Sequence, residues 1–165
     1  MKKLFSVFLI LYSFFSYSQT QHCGYDFTSY LVVDVHESGK AQNLDNIKIT
    51  IVDSEDKEVI NANNTLSWKD GNKPLVFSKN YKINQEGEKE RWFFPYAKDN
   101  YLLSVTNTFP AEEYKIKVED LSGKFKTQFV ELNSFNLYML CSSENEKQVR
   151  KFGPRTNSPI EVIME

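Results

Sequence analysis

The sequence predicts an all-β protein, an antiparallel β-sandwich of about seven to nine short strands, and three observations carry that expectation. Apolar residues recur at every second position in several runs, the spacing of a strand with one buried face. Clusters of Asp, Asn, Ser and Gly interrupt those runs at short intervals, as turn residues do. No stretch repeats apolar residues at the spacing of an amphipathic helix, and there is no internal repeat.

The first residues read differently from the rest. Lys2 and Lys3 precede an apolar run over residues 4–15, and Ser16 and Ser18 put small residues where a signal peptidase reads, so residues 1–18 are expected to be a cleaved signal peptide. The run is about a dozen residues, short of the roughly 20 that span a hydrocarbon core, so stable membrane insertion is not expected. Thr20, Gln21 and His22 before Cys23 are not the residues that direct lipid attachment to a cysteine. The expected location is secreted or periplasmic. Residues 19–165 are of single-domain size, enough to bury about two-thirds of the unfolded surface around one core. Without the leader the chain keeps 18 basic and 22 acidic residues, which leaves no basic field to favour nucleic acid.

Taken in order, residues 27–35 are apolar and β-branched enough for a strand buried on much of both faces. Residues 37–46 are a polar connection. Ile47, Ile49 and Ile51 then alternate with Lys48 and Thr50, a turn falls at residues 53–56, and residues 58–60 return as a short strand. Residues 66–68 and 75–77 flank Asp70-Gly71-Asn72 as a further hairpin, and residues 78–90 read as a long exposed loop. The aromatic run from Arg91 to Tyr96 leads through a turn to a strand at residues 101–105. Tyr114, Ile116 and Val118 alternate with Lys115, Lys117 and Glu119 in the clearest strand of the chain. Asp120, Ser122 and Gly123 turn it, and Phe125, Thr127 and Phe129 resume the alternation. Residues 135–141 read as a central strand with Phe135, Leu137 and Met139 on one face. Residues 142–157 are charged and read as a loop or as a short helix over residues 145–150, and Ile160-Glu161-Val162-Ile163-Met164 reads as a last strand or as part of a less ordered tail over residues 142–165.

Two cysteines, Cys23 and Cys141, form an even pair in a chain expected to be exported, and a structural disulfide between them is the expectation. Such a bond would close a loop for which chain entropy gives about 4 to 5 kcal/mol. Neither cysteine has the Cys-x-x-Cys spacing of a reactive thiol.

Asp34, His36 and Glu37 are possible ligands within four residues, but His22 is the only other histidine and no second cluster completes a tetrahedral site; no metal and no cofactor are expected. The acidic turn of Asp53, Glu55, Asp56 and Glu58 lacks the glycine and terminal glutamate of a calcium loop. Catalysis has little support, since there is no Gly-x-Ser-x-Gly elbow and Glu112-Glu113, as neighbours on a strand, would point to opposite faces. The candidate binding residues are Arg91, Trp92, Phe94 and Tyr96, because consecutive aromatics on a strand turn some rings outward, where a protein or carbohydrate partner would stack on them; the competing and favoured reading is a structural strand whose rings are covered by the two sheets or by residues 78–90.

The spaced aliphatic run of residues 46–52 with its polar turn, and the aromatic segment of residues 92–96 followed by Tyr101-Leu102-Leu103-Ser104-Val105, resemble the prealbumin-like sandwich modules of carboxypeptidase regulatory-like and related bacterial surface domains. Asn100 stands where those modules usually have glycine. The resemblance implies a non-catalytic module of seven strands and assigns no active-site residue. The expected function is therefore that of an exported binding or structural module of the cell envelope or exterior. Its alternatives are a small secreted hydrolase or carbohydrate-processing protein, marked by converging carboxylates in a pocket, and an inhibitor or immunity-type protein.

Overall fold

The computed structural model describes residues 28–69, 71–91, 99–106, 108–139 and 159–165. Among the described residues ten strands follow one another: β1 (Thr28–Glu37), β2 (Ile47–Val52), β3 (Ser78–Lys79), β4 (Tyr81–Ile83), β5 (Lys89–Arg91), β6 (Tyr101–Thr106), β7 (Lys115–Asp120), β8 (Gln128–Glu131), β9 (Leu137–Met139) and β10 (Ile160–Met164). The protein is all-β, its only helical pieces among these residues being single 3-10 turns.

β1 organises the larger sheet. Its Leu31, Val33 and Val35 are fully buried on one face, as the apolar run demands. β6 pairs antiparallel along one edge of β1, from Thr28↔Thr106 to Val33↔Tyr101, and β3 adds to the far side of β6. Along the other edge, β9 pairs antiparallel with Ser29–Leu31 and β10 pairs parallel with Val33–Glu37. The last-strand reading of residues 160–164 is thus the one that forms, with Ile160, Val162 and Met164 buried. Its parallel sense is possible because a long connection separates it from β9.

The second sheet has the order β2-β7-β8. Ile49 faces Val118 and Ile51 faces Ile116 across the ladder, all fully buried. Lys48, Lys115 and Lys117 on the opposite face pair with Glu58, Asp56 and Glu119, each at 2.7 Å. One hydrophobic core draws on both sheets, joining Leu31, Val33, Leu103 and Val105 to Ile49, Ile51, Ile116 and Val118. The sheets also meet at an edge, where Gln128 Nε2 donates to the Ile163 carbonyl at 2.8 Å.

Several expectations are corrected. Residues 78–90 are not a loop: β3 and the β4–β5 hairpin occupy them. Residues 66–68 are not a strand but part of a loop gathered around the fully buried Asn61, while residues 58 and 76 bridge to β2 and Pro74 bridges to Ile60. Phe129 belongs to the lysine face, opposite Lys117, and Val130 turns toward the core opposite Ile116. The wide turn before β8 shifts the face by one residue, which exchanges inside and outside. Residues 135–139 do not run as one strand either, and residues 140 and 141 lie outside the described residues. Asn133 caps a 3-10 turn over Ser134–Asn136 that leaves Phe135 67% exposed, and β9, which follows, pairs with β1 alone among the described residues.

Candidate functional site

The β4–β5 hairpin forms a two-stranded sheet of its own, with Tyr81 opposite Arg91, Lys82 opposite Glu90 and Ile83 opposite Lys89. Asn84 builds its turn, accepting from the backbone N–H of Glu86 at 3.0 Å and of Glu88 at 2.8 Å. Gly87 takes φ +82, the left-handed region open to glycine without strain. Most of the hairpin's side chains face solvent, and Ile83 is 57% exposed.

The base of the hairpin is held by charge. Arg91 Nη2 lies 2.6 Å from Asp99 Oδ1, and Lys89 pairs with the other oxygen of the same carboxylate. Burial alone would raise the Asp99 pKa, but hydrogen bonds from Lys89 and Arg91 hold it below the usual carboxylate range. Lys89 Nζ also stands 4.5 Å from the centre of the Tyr81 ring. Arg91 and Asp99 flank residues 92–98 in the sequence. Of the expected binding residues, Arg91 is exposed at the end of β5; Trp92, Phe94 and Tyr96 lie outside the described residues, as do Cys23 and Cys141.

Beneath the clamp sits a polar joint between β1 and β6. Asp34 Oδ1 accepts from Asn43 Nδ2 at 3.0 Å and from the fully buried Asn100 Nδ2, and Asn43 Oδ1 in turn accepts from Val35 N at 2.5 Å. Lys79 Nζ donates to the Leu44 carbonyl at 2.9 Å, lies 3.3 Å from Asp45 Oδ1 and covers the Tyr101 ring at 4.1 Å. Burial lowers the Lys79 pKa and the charge of Asp45 opposes that shift.

A second arrangement lies on the outer face of the larger sheet. A cleft of about 330 Å³ is lined by Asp34, His36, Gly39, Lys40, Ala41 and Glu161. Parallel pairing puts Asp34 opposite Glu161, and His36 Nε2 lies 2.9 Å from Glu161 Oε1. Asp34 and His36 share one face of β1. Glu161 joins from 125 residues away, a pairing for which a single sequence carries no local signal. Each of these groups is engaged: Asp34 by two amides, and His36 by Glu161 and by the Glu37 carbonyl. Among the described residues no group of three or more His, Cys, Asp or Glu is placed to hold a metal ion.

Glu112 and Glu113 occupy a 3-10 turn rather than a strand and are both exposed, beside a shallow cleft of about 190 Å³ that also includes Phe109 and Ser134. Among the described residues no helix is long and apolar enough to cross a membrane. Comparison with protein-family models, with curated proteins and with solved structures finds no match for this chain.

Proposed function

We propose that the protein is an exported, non-catalytic binding module, with its two sheets as the halves of a β-sandwich. Its recognition surface is the β4–β5 hairpin together with the aromatic segment that follows. The observation that carries this reading is the hairpin's independence: it belongs to neither main sheet, exposes Ile83, and leads through the clamped Arg91 directly into Trp92, Phe94 and Tyr96. Arg and aromatic side chains are the residues that dominate recognition surfaces. The partner fitting such a surface is a protein or a carbohydrate that offers an apolar or ring face for stacking.

Export rests on the leader-like residues 1–18, and a Cys23 to Cys141 bridge would staple the module in an oxidising compartment. The intact mass of the native protein tests both. A chain beginning at Gln19 and two hydrogens lighter until reduced is expected, whereas an uncleaved chain with two free thiols refutes export and bridge together. The binding reading is tested by purifying the parent and a Trp92→Ala, Tyr96→Ala double variant from the native host. A stoichiometric companion lost in the variant is expected; retention of that companion in the variant, or recovery of the parent alone, refutes it.

The hydrolase reading has one specific observation in its favour, the convergence of Asp34 and Glu161 on the 330 Å³ cleft. Against it stands the engagement of Asp34 by Asn43 and Asn100, which suits a carboxylate that joins loops to β1. Hydrolysis of a chromogenic glycoside or ester by the parent, abolished in Glu161→Gln, would favour the hydrolase over the binding module.

A further inference from the structure

Both ring nitrogens of His36 face acceptors. Nε2 lies 2.9 Å from Glu161 Oε1, and Nδ1 lies 3.0 Å from the Glu37 carbonyl oxygen. A neutral imidazole carries one N–H and can satisfy only one of these oxygens, whereas an imidazolium donates to both. Glu161 belongs to β10, which lies along the second half of β1. We propose that protonated His36 is a clasp fastening the C-terminal strand β10 to β1, so that local opening of this strand is controlled by pH.

The surroundings of the ring support the charged form. From β1 come Asp34, on the same face, and Glu37 through its carbonyl; from β10 comes Glu161; from the 38–42 connection comes Lys40, which lines the cleft but pairs with Glu37. Lys124, from the β7–β8 turn, is likewise engaged by Glu37. The His36 pKa is raised, first by the hydrogen bond to the Glu37 carbonyl and next by Glu161, with burial opposing. The folded value therefore lies above that of a free imidazole. The added stability is fully present below about pH 6.5 and is lost as pH rises through the folded value.

Deprotonation does not expel β10, because Ile160, Val162 and Met164 remain buried and each holds the strand more strongly than a largely exposed ion pair does. What changes is how often the strand opens. Release would uncover the edge of β1 from Val33 to Glu37, a row of backbone groups able to accept another strand.

Hydrogen exchange on the full-length mature chain reads this directly, with each amide rate divided by its intrinsic rate at that pH. Between about pH 5.5 and 8.5, protection of β10 amides relative to β2 and β7 amides is expected to fall about threefold, the size of an exposed ion pair. In His36→Gln the ratio is expected to stay flat. The His36 ring, followed by proton NMR, should titrate above 6.5 and shift downward in Glu161→Gln. A pH-independent ratio in the parent, the same fall in His36→Gln, or a midpoint at or below 6.5 overturns the clasp. The NMR midpoint decides alone if His36→Gln does not fold.

Discussion

Replacing Asn61 by alanine removes a hub on which a whole loop depends. The side chain is fully buried, and its amide donates to the carbonyls of Ser67 at 2.8 Å and Lys69 at 2.7 Å. Its oxygen accepts from the backbone N–H of Leu66 and of Ser67, both at 3.1 Å. Each such bond contributes about 1 kcal/mol net, and a buried group left without a partner costs about 1–3 kcal/mol. The two Ser67 groups are buried and would be orphaned, whereas those of Leu66 and Lys69 are partly buried and can turn to water. A loss of about 3–4 kcal/mol follows, a large share of the roughly 5–15 kcal/mol of a typical domain, and a fall in Tm of about 10 °C.

Urea unfolding followed by far-ultraviolet circular dichroism measures the change. Asn61→Asp sharpens the test, because it keeps the shape and one acceptor but turns a carboxylate oxygen toward two carbonyl oxygens. That variant should be destabilised at neutral pH and recover partly in acid, when the protonated carboxyl can donate once more. A loss below about 0.5 kcal/mol in Asn61→Ala, the level of an ordinary surface change, would refute the hub, as would an Asn61→Asp stability no more pH-dependent than the parent's.

Ile49→Ala, in the fully buried ladder opposite Val118, should cost about 2–5 kcal/mol by equilibrium unfolding, while Leu121→Ser, at an exposed turn, should stay within about 0.5 kcal/mol. Asp120 accepts from the Ser122 hydroxyl at 2.7 Å and from the backbone N–H of Ser122, Lys124 and Phe125, and these bonds, the hydroxyl's first, hold its carboxyl below the usual range. Its contribution is therefore present above the ordinary aspartate value of about 4 and lost as pH falls through the lower folded value; an acid titration of stability should be shallower in Asp120→Ala than in the parent. Tyr101 donates to the Leu44 carbonyl at 2.8 Å, and burial raises its phenol well above the ordinary value. Its contribution is present below about pH 10 and lost above it, so an ultraviolet titration of the parent should show late-ionising tyrosine, and Tyr101→Phe should reduce that late step by one group.

The strands that were legible in the sequence are those whose two faces differ. β2 and β7 alternate isoleucine or valine with lysine, and that contrast fixes both their existence and their buried side. β4 and β5 escaped because Tyr81-Lys82-Ile83 and Lys89-Glu90-Arg91 have no buried face to impose a period; the signal they do carry is Asn84 followed by Gly87, the turn chemistry of a hairpin. Phe129 misled for a different reason. Asp120 ties up the backbone of residues 122–125, the ladder starts only at Gln128, and the alternation counted through the turn lost its phase. Asn61 and the Asp34, His36 and Glu161 grouping were invisible to periodicity, since side-chain bonds to backbone and parallel pairing across 125 residues depend on the completed fold.

The most direct test of recognition by the hairpin is site-specific photo-crosslinking in the native host, with the photoreactive residue placed at Ile83 or, as a control, at Lys57 on the exposed turn after β2. A single adduct of defined mass from Ile83 and none from Lys57 is the predicted result. An adduct from Lys57 alone, or none from either position, would contradict a partner bound at the β4–β5 hairpin.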